Sequence, residues 1–296
     1  MIEEGFMEKS RTVLVASLVS LGIVIVIFSV LVVKLQLDQP VVFHQYMELP
    51  LYPQNVGMKG EYFSLDLLQN RTDERQLRFL SFPEAEEVQL DLISPWNSGF
   101  WTFQGTEVLG EGVGPYRKTT YEFHVILESV LEEELALTKV KLHFNDDSVV
   151  ETDLGKLVLF PVKMDQEDPV GIFSSSSSSD REETREGRAN REFQILGISS
   201  SLLDEAKKYF QLSVNGVKLE EDMDLRVRSG EALSFTAKGL KKKGADHYVI
   251  FRLSPKFRYM DTTLEEKSFR LEMVHERLMN LETLDIIRYL KERGEI

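Results

Sequence analysis

Tyr209-Phe210-Gln211-Leu212-Ser213-Val214-Asn215-Gly216-Val217-Lys218-Leu219 alternates apolar and polar side chains on both sides of an Asn-Gly pair. A period of two is that of a strand with one buried face. Asn-Gly accepts the positive φ that both central residues of a type I′ turn require, so this stretch predicts a tight β-hairpin.

The alternation continues outward. Glu192–Ile198, Asp224–Arg228, Ala232–Ala237 and Tyr248–Leu253 read as strands, and Ser201–Lys208 as one or two turns of helix. Lys238 to Asp246 connects two strands, with Lys241-Lys242-Lys243 as a solvated tip or a contact for anionic headgroups. The first half repeats the pattern in Glu61–Leu67, Val88–Ile93, Thr120–Leu127 and Lys156–Pro161. Lys139–Phe144 and Val149–Thr152 flank Asn145-Asp146-Asp147-Ser148, residues that tolerate turn geometry and so predict a second hairpin. Short strands separated by turn signals favour antiparallel sandwiches.

Between these halves, residues 164–191 hold six consecutive serines (Ser174 to Ser179) and the charged run Asp180 to Arg188. Low apolar content cannot offset chain entropy, so the segment reads as a linker, with a hairpin inserted in one sandwich as the alternative. Near the end, Ser268–Met273 alternates like a strand. From Asn280, which can cap a helix, Leu281, Leu284, Ile287 and Leu290 form one stripe, Lys291 and Arg293 suit the last turn and Gly294 stops it. The stripe is expected to dock on the second module.

Thr12–Val33 runs twenty-two residues without a charge. At ~1.5 Å per residue a helix there spans about 33 Å, enough for a ~30 Å hydrocarbon core. A cleaved signal peptide has a shorter apolar core and a small-residue cleavage site, and Lys34-Leu35-Gln36-Leu37-Asp38 offers none. Lys9 and Arg11 before the stretch and Lys34 after it favour a cytoplasmic tail over residues 1–11.

The expected architecture is mainly β. A transmembrane helix (12–33) precedes two antiparallel β-sandwich, immunoglobulin-like modules (35–163 and 192–296), and the second ends in a short helix.

Composition narrows the chemistry. The 296 residues carry a formal charge of −14, which argues against a nucleic-acid ligand because phosphate contacts need a basic face. The absence of cysteine excludes disulfides, thiolate metal sites, lipid attachment through cysteine and Cys nucleophiles. His275-Glu276 opens like a zincin motif, but Met279 stands where the second histidine belongs. His124 and His143 fall on expected strands and would be neighbours if those strands paired, yet two imidazoles make a weak metal site. Gly110-Glu111-Gly112-Val113-Gly114-Pro115 has the wrong spacing for a dinucleotide loop. Asn145-Asp146-Asp147 suits a turn better than a calcium loop, which needs six or more oxygens. No catalytic, cofactor or metal residue is therefore assigned.

Both tryptophans stand in Pro95-Trp96-Asn97-Ser98-Gly99-Phe100-Trp101-Thr102-Phe103. Core packing is the simpler reading of such residues. An exposed platform would stack sugar rings or anchor a protein, through Trp96, Phe100, Trp101, Phe103 and nearby Tyr116. The sequence thus predicts a single-pass, membrane-anchored protein of the bacterial cell envelope, held by lipid contact over Thr12–Val33, with most of the chain outside the cytoplasm. It would act as a non-catalytic interaction or assembly module on an integral-membrane or envelope protein partner. A cell-wall glycan-binding module using Trp96 and Trp101, and a carboxylate-dependent hydrolase, are the alternatives.

Overall fold

A computed structural model describes residues 15, 17–27, 29–30, 33–53, 57, 60–93, 111–127, 129–162, 168–178, 181–240, 249–276 and 282–296. Among the described residues, twenty strands form four sheets. In the first half these are β1 (Val41–Val42), β2 (Gln45–Leu51), β3 (Tyr62–Asn70), β4 (Leu77–Ser81), β5 (Val88–Leu92), β6 (Glu111–Val113), β7 (Tyr116–Leu127), β8 (Leu135–Phe144) and β9 (Val149–Pro161). In the second half they are β10 (Val170–Ser177), β11 (Glu182–Ala189), β12 (Phe193–Ser199), β13 (Phe210–Val214), β14 (Val217–Lys218), β15 (Leu225–Val227), β16 (Ala232–Gly239), β17 (Ile250–Leu253), β18 (Lys256–Asp261), β19 (Glu266–Arg270) and β20 (Val274–Glu276). Helices cover Leu203–Tyr209 and Thr283–Arg293.

The first sandwich packs the sheet β1-β3-β7-β5, with β6 on β7, against β2-β9-β8-β4. Alternation decides which side chains enter its core: Phe63, Leu65 and Leu67 from β3, Phe123 and Val125 from β7, Leu157 and Leu159 from β9. The expected hairpin at Asn145–Ser148 joins β8 to β9, with Asp147 at φ 62° and Asp146 accepting the Ser148 backbone N–H at 3.0 Å. The second sandwich packs β10-β11-β16-β13-β14 against β15-β12-β18-β19. Its β13–β14 turn has Asn215 at φ 48° and Gly216 at φ 78°, both positive as a type I′ turn demands.

Three expectations are corrected. Segment 164–191 is no simple linker: β10 and β11 pair antiparallel, and β11 pairs in turn with β16. Gly187 leaves room for the neighbouring strand, because a Cβ there would meet the side-chain ends of Ile172 and Val170 at 2.8 Å and the Gly171 carbonyl at 3.0 Å. Second, the sheets are not wholly antiparallel. β17 of the second half pairs parallel with β2 (Ile250 opposite Gln45, Arg252 opposite Met47), and β2 pairs parallel with β9.

The six-stranded sheet β20-β17-β2-β9-β8-β4 therefore belongs to both sandwiches. β2 is buried on both faces: Met47, Leu49 and Leu51 enter the first core, while Tyr46 stacks on Phe251 at 5.2 Å against the second. Two modules on a flexible tether would need no such strand.

Third, the helix Thr283–Arg293 docks on the first sandwich, not the second. Its buried face is Ile286, Tyr289 and Leu290, packed on Leu37, Val41, Phe43, Leu68, Val113 and Tyr116. Leu284, part of the expected stripe, is 71% exposed. The strands of His124 (β7) and His143 (β8), neighbours only if they paired, lie in different sheets.

The expected spanning helix is not shown. Among the described residues, no helix is long and apolar enough to cross a membrane. Residues 17–27 are helical and exposed throughout, and a continuous stretch of that length rises about 16 Å.

Candidate functional site

A cleft of about 680 Å³ opens where the two sandwiches meet. Strand β17 brings Arg252 and the segment just after it brings Ser254; β19 ends in Arg270, and Glu272 follows. From the first sandwich come Glu61, Glu134 and Phe160.

Arg252 holds the two halves together on one side. Its Nε donates to Glu272 at 2.7 Å, and its Nη2 lies 3.4 Å from Glu61. Glu272 also lies 3.4 Å from Arg185 of β11 and 3.6 Å from the His275 ring. Burial pushes the Glu272 carboxyl up, but hydrogen bonds and charge from His275 and Arg252 outweigh it and hold its pKa at about 2.

On the other side, Arg270 stacks 4.0 Å over the Phe160 ring, donates to the Ser254 carbonyl at 2.7 Å and pairs with Glu134. Its Nη1 lies 3.6 Å from Glu48, a fully buried carboxylate on β2. Ser200 Oγ donates to Glu48 at 2.6 Å and the Ser254 backbone N–H at 2.7 Å. Burial raises the Glu48 pKa, and these hydrogen bonds with the Arg270 charge offset only part of the rise. A carboxylate from the first sandwich is thus solvated almost entirely by the second.

The two groups impose opposite pH dependences. Glu272 titrates lower in the folded chain than at its ordinary ~4.5, so its stabilisation is present above that value and is lost as pH falls toward 2. Glu48 titrates higher when folded, so it penalises folding above ~4.5 and the penalty is relieved as pH falls. Glu272→Gln is expected to flatten the acid limb of the melting temperature between about pH 5 and 2, whereas Glu48→Gln is expected to remove a gain in melting temperature that the unaltered chain shows as pH falls toward ~4.5 from above, in pH-stepped thermal melts.

The cleft also tests the hydrolase alternative. Asp168, whose pKa burial raises, shares it with the ionised Glu272, and such divergent carboxylates are what acid–base chemistry employs. Glu272, however, has both oxygens engaged, by Arg252 and by Arg185 and His275. The described contacts there are ion pairs, and those of Arg252 with Glu61 and of Arg270 with Glu48 and Glu134 cross the junction.

Of the aromatic residues singled out in the sequence, Trp96, Phe100, Trp101 and Phe103 lie outside the described residues, as do Lys241–Lys243. Tyr116 is fully buried beneath the C-terminal helix, and its hydroxyl donates to the Leu35 carbonyl at 2.7 Å. It is joined there by Tyr289, which sequence reasoning missed. Tyr289 stacks on Phe43 at 5.0 Å, and its hydroxyl oxygen accepts from the His44 backbone N–H at 3.1 Å and from Arg293 at 2.7 Å. Arg293 donates also to the Val42 carbonyl at 2.8 Å, and Asn70 grips the Leu37 backbone at both N–H and C=O. The chain segment that follows the aliphatic stretch is thereby seated on the first sandwich.

No family model matches the chain, and no curated protein matches it significantly. Among solved structures it is similar to the D00-D0 domain of intimin (8% identity, 80% of this chain and 100% of that one, TM-score 0.24). It is also similar to the periplasmic chaperone SfaE (10%, 80% and 100%, TM-score 0.22) and to BcpA, the major pilin subunit of Bacillus cereus (10%, 80% and 67%, TM-score 0.16). Likeness this slight assigns no role to the chain.

Proposed function

We propose that this chain is a non-catalytic interaction or assembly module of the cell envelope, held at a membrane by residues 12–33 with its folded body outside the cytoplasm. The observation that carries the reading is the seat of residues 35–44: Tyr289, Arg293, Asn70 and Tyr116 fix the segment leaving the aliphatic stretch to the first sandwich. The described part of that stretch buries none of its Val, Leu and Ile side chains against the protein. Exposed aliphatic surface of that kind has a lipid or protein partner. A body fixed to such a helix presents its surfaces at constant height and orientation, and confinement raises its effective concentration toward partners in the same membrane.

The test is flotation of the full chain with lipid vesicles, followed by an alkaline wash. The chain is expected to float and to resist the wash. Recovery in the washed supernatant would remove the membrane from this reading.

A further inference from the structure

Strand β10 is the outer strand of its sheet, and no described strand pairs with its free side. From Gly171 to Ser177 every residue is exposed, with Ile172 at 41% and Phe173 at 66%. Its eight residues contain neither charge nor proline.

A sheet edge is a row of unpaired N–H and C=O groups, and folded chains blunt such edges with shortness, charge or proline. The other described edges follow that rule. β1 and β14 have two residues each, and β6, β15 and β20 have three. β4 carries Arg78, β5 carries Asp91, and β19 carries Glu266, Lys267 and Arg270. Only β10 is both long and unguarded.

We propose that β10 pairs antiparallel with β10 of a second copy of this chain, joining the two five-stranded sheets into one. The pairing supplies the partner of the assembly reading and rests on it. Charge selects the occupant. The whole chain carries −14, so most faces of two copies repel each other, whereas residues 170–189 hold three arginines, three glutamates and Asp180, a net −1. A strongly charged partner strand finds nothing complementary on β10, while a second β10 finds nothing that repels it. Backbone hydrogen bonds supply the affinity, and serine hydroxyls facing serine hydroxyls can bond across the pair.

The absence of cysteine gives a clean reporter. In the full chain in detergent micelles, Ser174→Cys, Ser175→Cys, Ser176→Cys and Ser177→Cys are introduced one at a time and mildly oxidised. A disulfide-linked dimer is expected, strongest at one or two neighbouring positions near the two-fold axis, and none from Thr262→Cys at an exposed turn. Light scattering of the unaltered chain is expected to give twice the monomer mass. Ser174→Lys with Ser176→Lys, on exposed side chains, is expected to weaken that association at least about tenfold with an unchanged melting temperature.

A monomeric chain with no disulfide at any of the four positions would overturn the proposal. So would a dimer indifferent to the two lysines, or a β10 cysteine that crosslinks in cells to a different protein and never to itself. In that last case the interaction reading stands and only its partner changes. Failure of flotation with the dimer intact would remove the membrane and leave the pairing.

Discussion

Replacing Arg270 with alanine is expected to destabilise the folded chain by about 3–5 kcal/mol, because it leaves Glu48 buried without its cation. Ser200 and Ser254 still satisfy the carboxylate oxygens, so the deficit is electrostatic rather than one of unmade hydrogen bonds. Two observations separate that cause from lost packing on Phe160. Adding Glu48→Gln is expected to recover part of the loss, on the order of 1–3 kcal/mol, since a neutral amide needs no counter-charge. The deficit of Arg270→Ala alone should shrink as pH falls, because the folded variant can then take up a proton on Glu48. Urea titrations of the four chains at neutral and acidic pH measure both. A deficit equal at both pH values and untouched by Glu48→Gln would assign Arg270 to packing alone.

Tyr289→Ala is expected to cost a similar ~3–5 kcal/mol, from loss of a fully buried ring that stacks on Phe43 and caps the core of the C-terminal helix. Tyr289→Phe keeps the ring and removes only the acceptor for His44 and Arg293, so about 1–2 kcal/mol is expected. The larger change should also unseat residues 35–44, which limited proteolysis would detect as new cleavage close to the aliphatic stretch. Protection of those residues in Tyr289→Ala would show that the helix does not hold them.

Local signals made much of the fold legible. The β13–β14 hairpin needed only alternation and Asn215-Gly216, both nearest-neighbour properties, and β8–β9 likewise followed from Asn145–Ser148. Strands β10 and β11 entered only as the alternative to a linker, because serines and mixed charges carry no period. They are strands because β16 supplies a ladder for β11, and Gly187 leaves room for Val170 and Ile172. Strand β18 was missed although Phe257, Tyr259 and Asp261 alternate inward, a signal present and unread. The C-terminal helix is legible and its stripe is right at Ile287 and Leu290, which pack, but counting leucines favours the exposed Leu284 over the buried Tyr289. A tyrosine enters a core when its hydroxyl finds partners, and His44 and Arg293 are remote or polar residues that no periodicity weighs.

The junction had almost no local signature. β17 meets β2 across more than two hundred residues of chain, and Glu48 reads in sequence as an ordinary strand carboxylate. One hint was available: Gln45–Leu51 is apolar on both faces apart from Gln45 and Glu48, which suits a strand covered twice.

Amide hydrogen exchange on the full chain addresses the shared sheet directly, since it resolves opening free energies segment by segment. If β2 is common to both sandwiches, the amides of Ile250–Leu253 and Gln45–Met47 should exchange together, with the same opening free energy and the same response to urea. Exchange of Ile250–Leu253 in a separate, lower-energy opening that leaves Gln45–Met47 protected would mean two independent modules and would contradict the shared sheet.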